Sequence, residues 1–326
     1  MLSRRSFVRA LSFASTFAVT LTAASVARSA ELQTVRIGVD PYTTGAQMWV
    51  ALDKGYFKDN GIDANITTYA TGVETLDGLL TGRTDMGVGL DFPTALRMQS
   101  RQLTILASIF KSAPGWHKLA VSEAIKAPAD LAGKKLGIAT GTAQHLVTVK
   151  YLENNGIAAS KVTLVPFSSL IEIVASQKAG RLDAAFVWAD GIKQATDSGF
   201  HILADDSEAK LNQRAYVSAN SAFAKKNAKA VESVLKAMEA ATKFINEDKE
   251  AAATIIAAHT KAPKESVVKL LQLNKFQLEL TDDDKASFAT IADFASGVLK
   301  TPVSFDTAVD PAYLTAAVPA GVTLSK

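Results

Sequence analysis

An α/β fold with two similar lobes, mixed central sheets, a two-crossover hinge and a helical C-terminal extension is the architecture this sequence predicts. Three observations carry it. Strand and helix patterns alternate over the first two thirds, a set of short motifs occurs twice in the same order, and the last third reads as helix. Composition permits it, since 326 residues with 48% hydrophobic content suffice for one large or two medium cores.

The alternation begins with Val35 to Val39, a short β-branched run, followed by a loop at Asp40 to Gly45 and an apolar helix from Ala46. Further strands are predicted near 66–69, 86–89, 103–109 and 118–121, and a second set near 135–140, 162–166, 184–188 and 201–203. The sets echo each other. Arg36-Ile37-Gly38-Val39 recurs as Lys135-Leu136-Gly137-Ile138, 99 residues on. Asn60-Gly61-Ile62 recurs as Asn155-Gly156-Ile157, 95 on, and Gly82-Arg83-Thr84-Asp85 as Gly180-Arg181-Leu182-Asp183, 98 on. Each match is ordinary alone: Asn-Gly-Ile is a helix stop with glycine at C′, and Gly-Arg-x-Asp is a turn before a strand. Together they predict two lobes with the same βαβ order, with one continuous doubly wound sheet as the alternative.

The last third reads as helices over 224–246, 249–260, 264–272 and 282–300, the final one opened by a capping box of Thr281 and Asp284. Asp282-Asp283-Asp284 lacks the alternating ligand positions and the glycine of a calcium loop, so it is read as helix capping. These helices are expected to pack on the first lobe. That places 31–117 with 219–326 in lobe 1 and 118–218 in lobe 2.

Residues 1–30 stand apart. They hold Arg4, Arg5, Arg9 and Arg28 and no acidic residue, and 11–27 is uncharged and rich in Ala, Ser and Thr. A basic start, a weak apolar stretch and a small-residue cleavage zone read as an export signal. Ser3-Arg4-Arg5-Ser6-Phe7-Val8-Arg9 matches the twin-arginine pattern, departing only at Val8 and Arg9. The stretch is marginal in length for a membrane span, and cleavage after Ala27 or after Ala30 fits. Without the signal, 31 basic residues face 32 acidic ones and the formal charge moves from +3 to −1. The basicity therefore gives no support for nucleic acid or an anionic membrane as partner. The absence of cysteine excludes disulfides, thiolate metal sites, cysteine nucleophiles and a lipid-modified N-terminal cysteine. The expected product is a soluble monomer free in the periplasm, not a lipoprotein.

Enzyme signatures are missing. There is no G-x-S-x-G, H-E-x-x-H or phosphate-loop motif, and Gly87-Val88-Gly89 lacks the third glycine of a dinucleotide fingerprint. His117, His145, His201 and His259 are scattered. No catalytic residue, metal or cofactor is expected.

Ligands of such sheets bind beyond the carboxyl ends of the strands, near helix N-termini. That rule selects 40–47, 71–74 and 90–94 in the first lobe and 140–145, 167–169 and 188–190 in the second. Thr43-Thr44-Gly45-Ala46 and Gly141-Thr142-Ala143-Gln144 put small and hydroxyl residues at helix starts. Free N–H groups and the helix dipole favour an anion there, although the same residues also serve as ordinary N-caps. Asp40, Asp91 and Asp190 lie in the same loops, and Asp190 is placed to accept from an ammonium group. Tyr42, Phe92, Trp116 and Trp188 supply either apolar walls or core. Anion-favouring and acidic features in one place point to a zwitterion, or to an anion with a donor group elsewhere.

Three runs resemble a known family. Asp130 to Ile138 (DLAGKKLGI) is similar to the DLKGKKIGV run of type II periplasmic binding proteins. Leu182 to Asp190 (LDAAFVWAD) resembles the DAAYVWAP run of taurine-binding proteins, and Ala51 to Gly61 (ALDKGYFKDNG) the opening of the nitrate/sulfonate/taurine family. The resemblance covers 33–300. It implies the substrate-binding component of an ABC importer, closing on a small sulfonate-like or zwitterionic molecule (taurine or an aliphatic sulfonate) and docking on a permease in the inner membrane. It carries over Thr44, Gly45, Gly72, Asp91, Thr142, Gln144, Trp188 and Asp190 as pocket positions, to which the loops add Tyr42 and Phe92. Asp190 stands where the taurine-type run has proline, which leaves the ligand open, since the superfamily also binds nitrate, bicarbonate, aromatic sulfonates and thiamine pyrimidine precursors. The alternatives are an enzyme on the same fold in pyrimidine or thiamine precursor metabolism, whose cysteine-rich motif is missing here, and a sensor subunit presenting its ligand to a receptor.

Overall fold

The computed structural model describes residues 31–325, so the export-signal reading of 1–30 lies outside the described residues. The chain begins β1 (Gln33–Val39), α1 (Ala46–Asp53), α2 (Tyr56–Asp59), β2 (Ile62–Thr68), α3 (Gly72–Leu80), β3 (Met86–Leu90), α4 (Asp91–Met98) and β4 (Leu103–Ser112). It continues through β5 (His117–Val121), β6 (Lys135–Ala139), α5 (Ala143–Asn154), β7 (Thr163–Phe167), α6 (Leu170–Lys178), β8 (Ala184–Trp188), α7 (Asp190–Asp197) and β9 (His201–Asp205). It returns with β10 (Arg214–Asn220), α8 (Ser221–Lys226), α9 (Ala228–Glu247), α10 (Lys249–Thr260) and α11 (Lys264–Leu273). It closes with β11 (Asn274–Thr281), α12 (Asp282–Leu299), α13 (Pro311–Ala317) and β12 (Val322–Thr323).

Two sheets result, a seven-stranded one in the order β12-β11-β4-β10-β3-β1-β2 and a five-stranded one in the order β7-β6-β8-β5-β9. The α/β class with two mixed sheets is as the sequence predicts, and the single continuous sheet is not formed. The five strands from β2 to β4 at one end of the larger sheet repeat the smaller sheet. β1 lies parallel between β2 and β3 as β6 lies parallel between β7 and β8. An antiparallel strand then follows β3 and β8 in turn. That strand is β10 in one sheet and β5 in the other, so the chain crosses between the sheets at 113–116 and again at 206–213. Residues 214–218, grouped with the second lobe in the sequence reading, lie in β10 of the larger sheet.

The repeated motifs prove to make the same bonds in each sheet. Asp85 accepts the N–H of Arg36 at 2.9 Å and Asp183 that of Lys135 at 2.8 Å, each pinning the start of one parallel strand to the turn before another. Asn60 and Asn155 each donate their side-chain amide to a tyrosine carbonyl one turn back, at 2.8 and 2.9 Å. The glycines that follow, Gly61 and Gly156, take φ of 77° and 70°, a conformation that favours glycine. Thr71 caps α3 and Ser169 caps α6, each accepting from a glutamate N–H three residues on.

The C-terminal third is helical, with α9 packed on α1 and α2 and against β11. Strands β10 and β11 depart from the sequence reading. In β11, Phe276, Leu278 and Leu280 are buried at every second position, a strand period hidden between two helical patterns. Thr281 and Asp284 form the expected capping box of α12.

Two buried polar clusters fix the crossovers. Asp206, 4% exposed, accepts from the N–H of Gly115, the N–H of His117 at 3.0 Å and the His117 ring at 3.2 Å. One crossover is thus tied to the other. Arg214 follows, its guanidinium donating to Asp284 at 2.9 Å and to Asp283 at 2.6 Å.

Candidate functional site

A narrow cavity of about 40 Å³ opens between the loop ends of the two sheets. From the larger sheet come Asp40, Tyr42 and Thr44 after β1, Thr71, Gly72 and Val73 at the start of α3, and Leu90 and Pro93 around the start of α4. Trp116 and His117 enter from the first crossover. From the smaller sheet come Thr142, Ala143 and Gln144 at the start of α5, and Trp188 at the end of β8. Most of these segments follow the carboxyl end of a strand, where α/β sheets place their ligands.

The two helix starts differ. In α3 the Thr71 hydroxyl accepts the Glu74 N–H at 3.4 Å and so uses one free donor. In α5 the Thr142 hydroxyl turns away and donates to the Ala139 carbonyl at 2.7 Å, leaving the helix without a side-chain cap. The N–H groups of Ala143 and Gln144 have no acceptor among the described residues.

Asp40 is the one carboxyl lining the cavity, 5% exposed. Its Oδ1 accepts the Tyr42 N–H at 3.2 Å. Burial pushes its pKa up to about 7, against the opposing pull of the Thr44 hydroxyl and the Tyr42 N–H. Burial also raises the Tyr42 phenol, and the Asp40 charge adds to that. Tyr42 meets Trp188 edge-on at 5.9 Å, and Trp188 meets His117 edge-on at 5.8 Å, forming an aromatic wall.

Of the sequence-predicted residues, Tyr42, Thr44, Gly72, Thr142, Gln144 and Trp188 come together here. The Gln144 amide is nevertheless committed to the protein: its oxygen accepts from Ala139 N–H at 2.8 Å, and its nitrogen donates to Gly137 and Phe186 carbonyls at 3.0 and 3.1 Å. Gly45 lies behind the wall, where a Cβ would stand 3.0 Å from Trp49 Nε1 and 3.1 Å from Val39 Cβ. Asp91 is a structural residue, accepting from Phe92 N–H at 2.7 Å and Arg214 N–H at 3.0 Å. Phe92 is fully buried and packs against Phe294. Asp190 lines a neighbouring cavity with Tyr42, Leu170 and Leu270. Its backbone neighbour Ala189 takes φ 46° and ψ −132°, a strained conformation for a residue with a Cβ.

Sequence reasoning missed His117 as a lining residue and passed over Asp40 as a pocket position. The signal for Asp40 was present, an acid immediately after the first strand. His117 carries no local signal, because its partner Asp206 lies 89 residues away. Among the described residues no group of three or more His, Cys, Asp or Glu is disposed to hold a metal ion.

Paired sheets with a cavity at their facing loop ends define the periplasmic binding protein fold. The alkanesulfonate-binding protein SsuA from Xanthomonas axonopodis pv. citri, bound to MOPS, superposes with a TM-score of 0.74, covering 86% of this chain and 99% of that one at 19% identity. The desulfurization enzyme DSZB has the same fold, with a TM-score of 0.68 over 88% of this chain and 99% of its own at 17% identity. The chain belongs to the NMT1/THI5-like family, whose model matches residues 42–252. The taurine-binding periplasmic protein of Escherichia coli (strain K12) is 26% identical over 191 residues, 58% of this chain and 59% of that protein.

Proposed function

We propose that this chain is the exported solute-binding component of an ABC importer, which traps a small sulfonate-like or zwitterionic molecule between two lobes and delivers it to an inner-membrane permease. The observation that carries the reading is the uncapped start of α5 opening into the same cavity as the start of α3. The uncapped start of α5 offers N–H donors and a helix dipole end to an anionic group in that cavity. The names of relatives and structural neighbours, taurine-binding and alkanesulfonate-binding proteins, support a sulfonate as that group. In this reading one lobe holds the larger sheet, with 31–112 and 214–325, the other holds 117–205, and the two crossovers form the hinge. Trapping by hinge closure requires no bond chemistry. In this reading residues 1–30 are a twin-arginine export signal and the mature chain works as a monomer in the periplasm. Among the described residues no helix is long and apolar enough to cross a membrane.

A thermal-shift screen of the mature chain tests this, with taurine, alkanesulfonates, nitrate and pyrimidines as ligands. A ligand at a hundred times its Kd stabilises by about 2.7 kcal/mol, a readily measured shift. No shift with any sulfonate would remove the ligand class.

A further inference from the structure

We propose that Asp40 sets the specificity of the cavity: its carboxylate receives the ammonium of a ligand whose acid group rests on the start of α5, so zwitterions are selected over simple anions. The inference rests on reading the cavity as a ligand site, and it assigns the second pole of that ligand.

The carboxyl is almost wholly enclosed and lines the cavity. Oδ1 is engaged by Tyr42 N–H, while Oδ2 faces Gly72, 3.6 Å from where a Cβ would stand on that glycine. No lysine or arginine lines the cavity, and Asp40 has no ion pair among the described residues. An enclosed carboxylate with no cation is costly, and a cationic group on the ligand removes that cost. The surroundings suit an ammonium. Tyr42, Trp116 and Trp188 line the same cavity as the carboxyl, and aromatic faces attract cations.

The helix starts supply the polarity. Asp40 lies against α3, whose first turn is already capped by Thr71. The uncapped start of α5 carries no carboxylate in its part of the cavity lining. The anionic pole of the ligand therefore belongs at Ala143 and Gln144, and the cationic pole at Asp40. Asp190, the ammonium acceptor expected from sequence, faces the neighbouring cavity instead.

A purely structural Asp40, holding the turn through Tyr42 N–H, makes a different forecast, because asparagine would serve that turn equally well. The test is calorimetric titration of the mature chain with matched pairs differing only in the amine: 2-aminoethanesulfonate against propane-1-sulfonate, and 3-aminopropanoate against butanoate. Wild type is expected to prefer the amine-bearing member of at least one pair by ~30-fold or more, the scale of a desolvated charge pair. Asp40→Asn is expected to bring that ratio within about threefold while retaining binding of the amine-free member. Asp40→Ser serves as a second variant, with the same expected loss of preference. If sulfonates fail but the carboxylate pair shows an Asp40-dependent preference, the sulfonate class falls and Asp40 keeps its role. Equal affinities within both pairs, equal weakening of both members by Asp40→Asn, or no binding of any amine-bearing member would overturn the inference.

Discussion

Replacing Asp40 with asparagine should make the unliganded protein more stable, and increasingly so as pH rises. The carboxyl titrates near 7 in the folded chain against 3.8 in a free one, chiefly because burial disfavours its charged form. An acid whose folded pKa is raised contributes stability that is complete below the unfolded value and is lost as pH rises through the folded one. Each unit of the gap corresponds to about 1.4 kcal/mol. The cost of the charge is therefore ~1.5 kcal/mol at pH 5 and ~4 kcal/mol at pH 8. Asparagine carries no such charge, yet keeps an oxygen for the Tyr42 N–H. Urea unfolding of both proteins should show a gap that widens by roughly 2.5 kcal/mol between pH 5 and pH 8. Of the other perturbed groups nearby, Asp91, His145 and Asp190 are present in both proteins, and the Tyr42 phenol, raised by burial, stays protonated across this pH range. Amine-bearing ligand at equal concentration should narrow the gap by stabilising wild type more than the variant. A gap that does not change with pH would refute the claim that an unpaired carboxylate is stored in the cavity.

Gln144→Ala removes three buried hydrogen bonds that staple α5 to β6 and β8, and should cost ~3 kcal/mol in urea unfolding. Asp206 is held below the usual carboxylate range: burial pushes it up, but the His117 ring and the Gly115 and His117 N–H groups outweigh that. Its contribution is therefore complete at neutral pH and is lost as pH falls through its folded value. Asp206→Asn should lower the melting temperature at pH 7 and flatten its dependence on acid, and an unchanged acid profile would count against the clamp. Ala189→Gly should raise stability by ~1 kcal/mol, by relieving the positive φ at the end of β8.

The repeat was legible because its residues make the same bonds twice, Arg36 to Asp85 and Lys135 to Asp183, and Asn60 and Asn155 to the tyrosine carbonyls one turn before them. A further pair escaped notice. Gln47 and Gln144 each stand second in a helix and donate a buried amide to strand carbonyls, Gln47 to Ile109 at 2.8 Å and to Gln277 at 3.1 Å. Both looked like loop ligands because a polar residue near a helix start reads as exposed, whereas here each side chain turns inward. β10 and β11 were not legible, because they pair only with strands distant in sequence and their alternation is short. Among site residues, helix-start positions such as Thr44, Gly72 and Thr142 followed from the strand-end rule. Whether an acid in those loops faced the cavity did not. Asp91 spends its oxygens on Phe92 and Arg214, a residue 123 positions away, and no local pattern announces that.

The central claim is that an anionic group is held by free N–H donors at the start of α5, and Ala143→Pro tests it most directly. Ala143 is the first residue of the helix, Thr142 before it is extended at ψ 169°, and proline is well tolerated at such a position. The substitution removes one ligand-facing N–H and no hydrogen bond of the fold. With 2-aminoethanesulfonate in the calorimeter, the variant is expected to melt near the wild-type temperature and to bind ~10- to 100-fold more weakly, the scale of one hydrogen bond to a charged group. A stable Ala143→Pro protein with wild-type affinity would contradict the account.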